Sequence, residues 1–295
     1  MRYAIGIDLG GTKIEGAFVN EKGAILERLR VHTNAQKGKN HVISQLIYVV
    51  KSLKSLRKMP VVGVGVGAPG IVLSDGRIVG SPNVPINGVK LGAILSKNLD
   101  LRVVVENDSK CFALAESLFG AGKRVKNMIG LIYGTGIGCG IIINKTLYRG
   151  SHGAAGEVGH IVVNPLGPKC GCGLRGDYES YCGGKNIAVR YKQLGGKIKN
   201  AGVPQIYYSN EKAAKIVNTD SFTYLVLLCA NLINSLDPEI IVLGGGQSNL
   251  PIYNQLNAEV RRHVIDLHKK NVRIVRNRLG DSSGVIGAAA LVFKA

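Results

Sequence analysis

The sequence predicts an α/β protein of two lobes. Two short glycine-rich turns carry that reading: Asp8-Leu9-Gly10-Gly11-Thr12-Lys13 near the start, and Tyr133-Gly134-Thr135-Gly136-Ile137-Gly138 near the middle. Each follows an apolar run and precedes an alternating stretch with the period of a second strand. After each turn, further strand and helix patterns follow without a low-complexity linker, and 295 residues suffice for two cores.

The first half reads as strands at 3–7, 14–19 and 24–31, a helix over 40–57, and a strand at 61–66. A hairpin around Ser74-Asp75-Gly76, a helix over 89–98, a strand at 102–106 and a helix from about 108 to 119 complete it. The second half restarts with strands at 127–132, 139–143 and 147–149, then an irregular Gly/Cys segment at 164–184. Helices over 185–193 and 220–236, a buried-type strand at 239–243 ended by Gly244-Gly245-Gly246, a helix over 251–266, a strand at 272–275 and a closing helix at 282–293 finish the chain. Two α/β lobes that each open on a hairpin form the two-lobed actin-like, ribonuclease-H-like ATPase fold. The small N-terminal lobe is expected over 1–119, with the closing helix (282–295) packed back on it, and the large lobe over 120–281. Hinges are expected near Gly120-Ala121-Gly122 and Gly280.

A glycine turn exposes backbone N–H groups with no Cβ in the way, which suits phosphate; it is also an ordinary hairpin turn. Two of them carrying Gly-Thr, one per half, point to a polyphosphate, and Asp8 beside the first points to a divalent cation between carboxylate and phosphate. Gly65-Val66-Gly67-Ala68-Pro69-Gly70 matches the dinucleotide string, but a hairpin and not a helix follows it. No P-loop string occurs in the chain.

Composition is that of a soluble globular protein, 45% hydrophobic and 19% charged, with no segment of signal-peptide form at its start and a glycine-broken apolar run at 128–143 that is a poor membrane span. Six scattered cysteines read as reduced cytoplasmic thiols with one local cluster. The net charge of +19 raises nucleic acid as a partner, but the basic residues are spread out and only 5% of residues are aromatic. A solvated basic face, or attraction of an anionic nucleotide, accounts for the charge equally well.

Asp108 follows the strand Val103-Val104-Val105-Glu106 where a helix begins. It reads either as that helix's N-cap or as a carboxylate at a strand's carboxyl end, where α/β folds bind ligands and where it could take a hydroxyl proton. His160, Cys170-Gly171-Cys172 and Asp177 have metal-like spacing. Thiolate with imidazole suits zinc; the other readings are free thiols, or Cys182 in place of Asp177 after a loop rearrangement.

These motifs together resemble the ROK family of repressors, open reading frames and sugar kinases, over essentially the whole chain. Asp8 to Lys13 resembles its first phosphate motif. Leu131 to Gly140, continuing through Gly153-Ala154-Ala155-Gly156-Glu157-Val158-Gly159-His160, is similar to its signature, and Cys170 to Glu179 to its zinc loop. The resemblance implies an ATP- and Mg²⁺-dependent sugar kinase, with Asp108 as the base and Asn83, Asn107, Asp108, Glu157, His160 and Glu179 on the sugar. Gly10, Gly11, Thr12, Lys13, Gly134, Thr135 and Gly136 would hold the ATP phosphates, Asp8 would stand near magnesium, and Gly244, Gly245 and Gly246 would lie under the adenosine. Zinc would sit on His160, Cys170, Cys172 and Asp177. The family's third zinc-loop Cys is replaced by Asp177, and the Trp often found after Asn83 is absent. The expected substrate is glucose; N-acetylglucosamine, N-acetylmannosamine and fructose are the alternatives. A sugar-responsive regulator is disfavoured because Asp8 leaves no room ahead of it for a helix-turn-helix. A homodimer or homotetramer is implied, without specific nucleic acid or membrane partners.

Overall fold

The computed structural model describes residues 1–294. In chain order the elements are β1 (Tyr3–Leu9), β2 (Lys13–Asn20), β3 (Ile25–His32), α1 (Lys39–Leu56), β4 (Val64–Ala68), β5 (Ile71–Val72), β6 (Ile78–Val79), α2 (Leu91–Leu99), β7 (Val103–Asn107) and α3 (Asp108–Leu118). There follow β8 (Met128–Tyr133), β9 (Ile137–Ile143), β10 (Thr146–Tyr148), α4 (Tyr178–Cys182), α5 (Gly184–Gln193), α6 (Val203–Tyr207) and α7 (Lys212–Leu236). The chain closes with β11 (Ile240–Gly244), α8 (Tyr253–Val260), α9 (Asp266–Lys269), β12 (Ile274–Arg276) and α10 (Ser283–Lys294).

Two five-stranded sheets repeat one plan, β3-β2-β1-β4-β7 and β10-β9-β8-β11-β12. In each, the strands around the glycine turn form one side and parallel partners the other: Ile5 pairs with Val64 and Val64 with Val103, while Met128 pairs with Ile240 and Ile241 with Ile274. The actin-like, two-sheet α/β architecture expected from the sequence is present.

The chain divides into two compact units. The first comprises Met1–Lys123, Gly140–Ala155 and the segment from Arg278; the second comprises Arg124–Cys139 and Gly156–Asn277. The sequence reading left 140–155 in the second lobe. Its place in the first unit follows from contacts there. A Cβ on Gly140 would stand 2.5 Å from the Ala113 side chain of α3. Lys145 donates to the carbonyls of Ser117 (2.9 Å), Gly122 (3.0 Å) and Lys123 (2.8 Å).

In the first unit β1 alternates between two layers, as a strand must. Ile5, Ile7 and Leu9 join the cluster that holds Val42, Leu46, Val49 and Leu53 of α1. Ala4 packs instead with Val285 and Ala289 of α10. On that second face α10 approaches the sheet so closely that only glycine fits beneath it. A Cβ on Gly65 would stand 1.7 Å from the Ala288 carbonyl oxygen, and one on Gly6 1.9 Å from that of Val285.

In the second unit, Ala213, Ala214 and Val217 of α7 pack with Ile187 and Tyr191 of α5 and Ile206 of α6. This packing starts α7 at Lys212, eight residues before the start read from the sequence, where Asn218, Thr219 and Asp220 are weak helix formers. By length and hydropathy α7 could cross a membrane, but half of its most apolar window is buried in the protein. The helix expected over 251–266 stops at Val260, and a separate short helix, α9, starts only at Asp266. Asn234 accepts from the Ile265 amide (3.2 Å) and donates to the His263 carbonyl (3.2 Å), taking backbone groups that a continuous helix would use itself. The segment read as irregular contains α4, and α6 was not anticipated.

Candidate active site

In the first unit, β1 runs into the first glycine turn, closed by the Gly10 amide on the Lys13 carbonyl (2.9 Å). Thr33 donates its hydroxyl to the Gly10 carbonyl (2.6 Å) and so braces the turn from β3's side. Gly11, Thr12 and Lys13 are exposed, and Asn83 lies directly against Gly11: a Cβ there would be 3.1 Å from the Asn83 Cβ. Asp8, at the end of β1, faces the first turn of α10, where Gly284 leaves room for its carboxylate. Burial, Asp108 and Glu15 push the Asp8 carboxyl up from 3.8 to about 6, against the lowering effect of Lys13. This accumulation of negative charge suits a divalent cation, so the residues fit the expected magnesium.

Asp108 is the first residue of α3, and the N-cap is its neighbour. The Asn107 Oδ1 accepts from the amides of Ser109 (3.0 Å) and Lys110 (3.2 Å), while its Nδ2 donates to the Gly70 carbonyl (3.0 Å). Asp108 is thereby released from capping duty, although its Oδ1 still accepts from the Ser109 amide (2.7 Å) and hydroxyl (3.2 Å). The carboxyl is half-buried, and lost hydration raises its pKa above the ordinary value against those hydrogen bonds. Sequence reasoning missed what lies beneath it. Glu106, buried, accepts from the Asn107 amide (2.9 Å) and pairs with Arg149 (2.5 Å) and Lys110 (3.9 Å). Lys110 is itself 1% exposed and donates to the Gly153 carbonyl, so it pins the segment before Glu157 to α3.

In the second unit the Gly134–Thr135–Gly136 turn is held from behind. Its carbonyls accept from the amides of Gly184 (2.9 Å, to Gly134) and Lys185 (3.0 Å, to Thr135) at the head of α5. Gln247, also missed from sequence, donates to the carbonyls of Gly134 (2.7 Å) and Cys182 (3.1 Å). A side chain that ties two backbone segments far apart in sequence leaves no local pattern to read. Gly244, Gly245 and Gly246 end β11 beside this turn. Gly245 has φ +83°, and a Cβ on it would meet the Tyr133 carbonyl at 2.6 Å. Glu179 Oε2 accepts from the Ile137 amide (2.8 Å) and fills the space in front of Gly136. Glu157 is exposed, just before the turn Val158–His160.

His160, Cys170, Cys172 and Asp177 each bring one ligand atom to a cluster whose members lie within 4.8 Å of one another. The imidazole faces it with Nδ1, 3.0 Å from Asp177 Oδ2, which leaves Nε2 to face elsewhere. Two thiols, an imidazole and a carboxylate fit zinc. Cys182 takes no part: it is fully buried, with its thiol on the Ser221 carbonyl (3.4 Å).

A family model described as ROK family matches residues 4–295. The chain belongs to the ROK family. This ROK protein is 31% identical to a glucokinase of Thermotoga maritima, over 98% of the chain and 96% of the relative. It is 35% identical to an N-acetyl-D-glucosamine kinase of Vibrio cholerae, over 98% and 99%. A ROK family glucokinase from Streptomyces griseus, solved in complex with glucose and AMPPNP, superposes with a TM-score of 0.84 at 30% identity, covering 99% of this chain and all of that one.

Proposed function

We propose that this chain transfers the γ-phosphoryl group of ATP to the 6-hydroxyl of a hexose, glucose first. The enzyme class is sugar kinase. The observation that carries the reading is Asp108, a carboxylate freed from capping by Asn107 and raised by burial, in the same unit as the first glycine turn. A carboxyl above its ordinary pKa is a stronger base, which suits the proton acceptor of phosphoryl transfer.

The exposed amides of the two turns bind phosphate oxygens, and Gly244 to Gly246 lie under the adenosine. Asp8 would hold magnesium, which when bound neutralises charge on those oxygens. His160, Cys170, Cys172 and Asp177 would hold a zinc ion, which orients the imidazole. Asn83, Asn107, Glu157, His160 and Glu179 contact the sugar. The reading also takes the protein as cytoplasmic and as a homodimer or homotetramer, with no specific nucleic-acid partner. N-acetylglucosamine is the second substrate, favoured by the kinase of that sugar at 35% identity.

Coupled ADP detection across a panel of hexoses and N-acetylhexosamines tests the proposal. Asp108→Asn is expected to lower turnover by about 10²–10⁴-fold while sugar binding persists. No ADP release with any of these sugars, or most of the turnover surviving in Asp108→Asn, overturns it.

A further inference from the structure

We propose that Asp177 makes the metal dispensable for the structure of the His160–Cys172 loop: its carboxylate closes the loop and caps α4 by itself, and zinc binds to a site already formed. The bearing on sugar rests on the role given to Glu179 above; the closure does not.

One carboxylate can do what one thiol cannot. A thiol is a weak donor and a weak acceptor, so a group of three thiols and an imidazole satisfies itself poorly without an ion. In such sites metal binding supplies the folding energy. A carboxylate offers two oxygens with about four lone-pair directions between them. Asp177 divides them. Oδ1 accepts from the Ser180 amide (2.8 Å) and caps α4. Oδ2 accepts from His160 Nδ1 (3.0 Å) and from the Cys172 thiol (3.5 Å). Asp177 has no exposed surface, so water does not compete for these bonds.

The backbone around it is closed as well. The Cys170 amide donates to the Leu174 carbonyl (2.9 Å), that of Gly176 to Pro168 (2.8 Å) and that of Val163 to Gly176 (2.8 Å). Gly176, at φ +62°, passes so near the Asn164 carbonyl that a Cβ would stand 1.6 Å from its oxygen. The Ser180 hydroxyl bonds the Asp177 carbonyl (2.7 Å) and locks the cap. Glu179, two residues beyond Asp177 on the capped turn, thereby keeps its hold on the Ile137 amide without an ion.

Hydrogen exchange read by mass spectrometry on the full chain tests this, with protein stripped by chelator compared with zinc-loaded protein. Amides of 160–182 in metal-free wild type should stay within about threefold of their zinc-loaded protection. Asp177→Cys should be protected to that degree only with zinc, and Asp177→Ala should lose about tenfold in both forms. A wild type that loses more than about tenfold on stripping and regains it with zinc overturns the proposal, and so does Asp177→Cys equally protected in both forms. The wild-type comparison needs no variant to fold. Absence of phosphorylation in untreated protein would defeat the kinase reading and leave the exchange result standing.

Discussion

Replacing Asp8 by Asn should make the ligand-free protein more stable while removing its catalytic competence. In the folded chain the carboxyl is pushed up from 3.8 to about 6, so folding ionised Asp8 is unfavourable wherever the unfolded chain would be ionised. A raised carboxyl acts against stability above the folded value, and the effect fades as pH falls toward the unfolded one. With those two values the cost is about 2–3 kcal/mol at pH 7.5, about half of that at pH 5, and under about 1 kcal/mol at pH 4. Asn carries no charge and escapes it. The assay is urea unfolding of wild type and Asp8→Asn at those three pH values, followed by hydrogen exchange on peptides of β1 and α10 so that the first unit is read by itself. Asp8→Asn no more stable at pH 7.5, or a stability gap that does not shrink by pH 4, would refute the reasoning.

Three other substitutions probe separate parts of the molecule. Gly136→Ala puts a Cβ 2.5 Å from Glu179 Oε2 and drives the carboxylate off the Ile137 amide. Loss of this charge-assisted bond should cost about 1.5–3 kcal/mol in urea unfolding, and the displaced carboxylate should raise the KM for sugar in the ADP assay. Lys110→Met removes the bond to the Gly153 carbonyl but leaves Glu106 paired with Arg149, so urea unfolding should show a loss of about 1–3 kcal/mol and exchange should quicken over 149–155. Gly65→Ala meets backbone and not a movable side chain, 1.7 Å from the Ala288 oxygen. It should cost about 3 kcal/mol or more, visible as lost soluble yield and a lowered melting temperature.

What the sequence shows of this fold is what local pattern can encode. Strand alternation around Gly10 and Gly134 and the apolar spacing of α1 placed both hairpins and that helix within a few residues. The Cys170-Gly171-Cys172 spacing and its His and Asp partners were likewise visible, because a metal-like cluster is written in residue types. Asp108 was visible as a residue at a strand-to-helix junction, but not its release from capping: Asn and Asp are equally good caps, and only geometry shows that Asn107 does the work. Gln247 and the Glu106–Lys110–Arg149 set were invisible because their partners are backbone atoms or charges brought near only by the fold. The start of α7 was missed since tertiary burial of Ala213, Ala214 and Val217 outweighs the weak propensity of the residues after them.

That α10 completes the sheet of β1 and β4 bears on how the chain matures on the ribosome. Its residues are translated after every strand they cover, so the layer over Ala4, Gly6 and Gly65 stays uncovered while 124–277 emerge. The usual vectorial order is thus inverted, with the middle of the polypeptide able to settle before its beginning. Nascent chains stalled before α10 has emerged should carry a sticky, chaperone-recruiting face that the emergence of α10 covers.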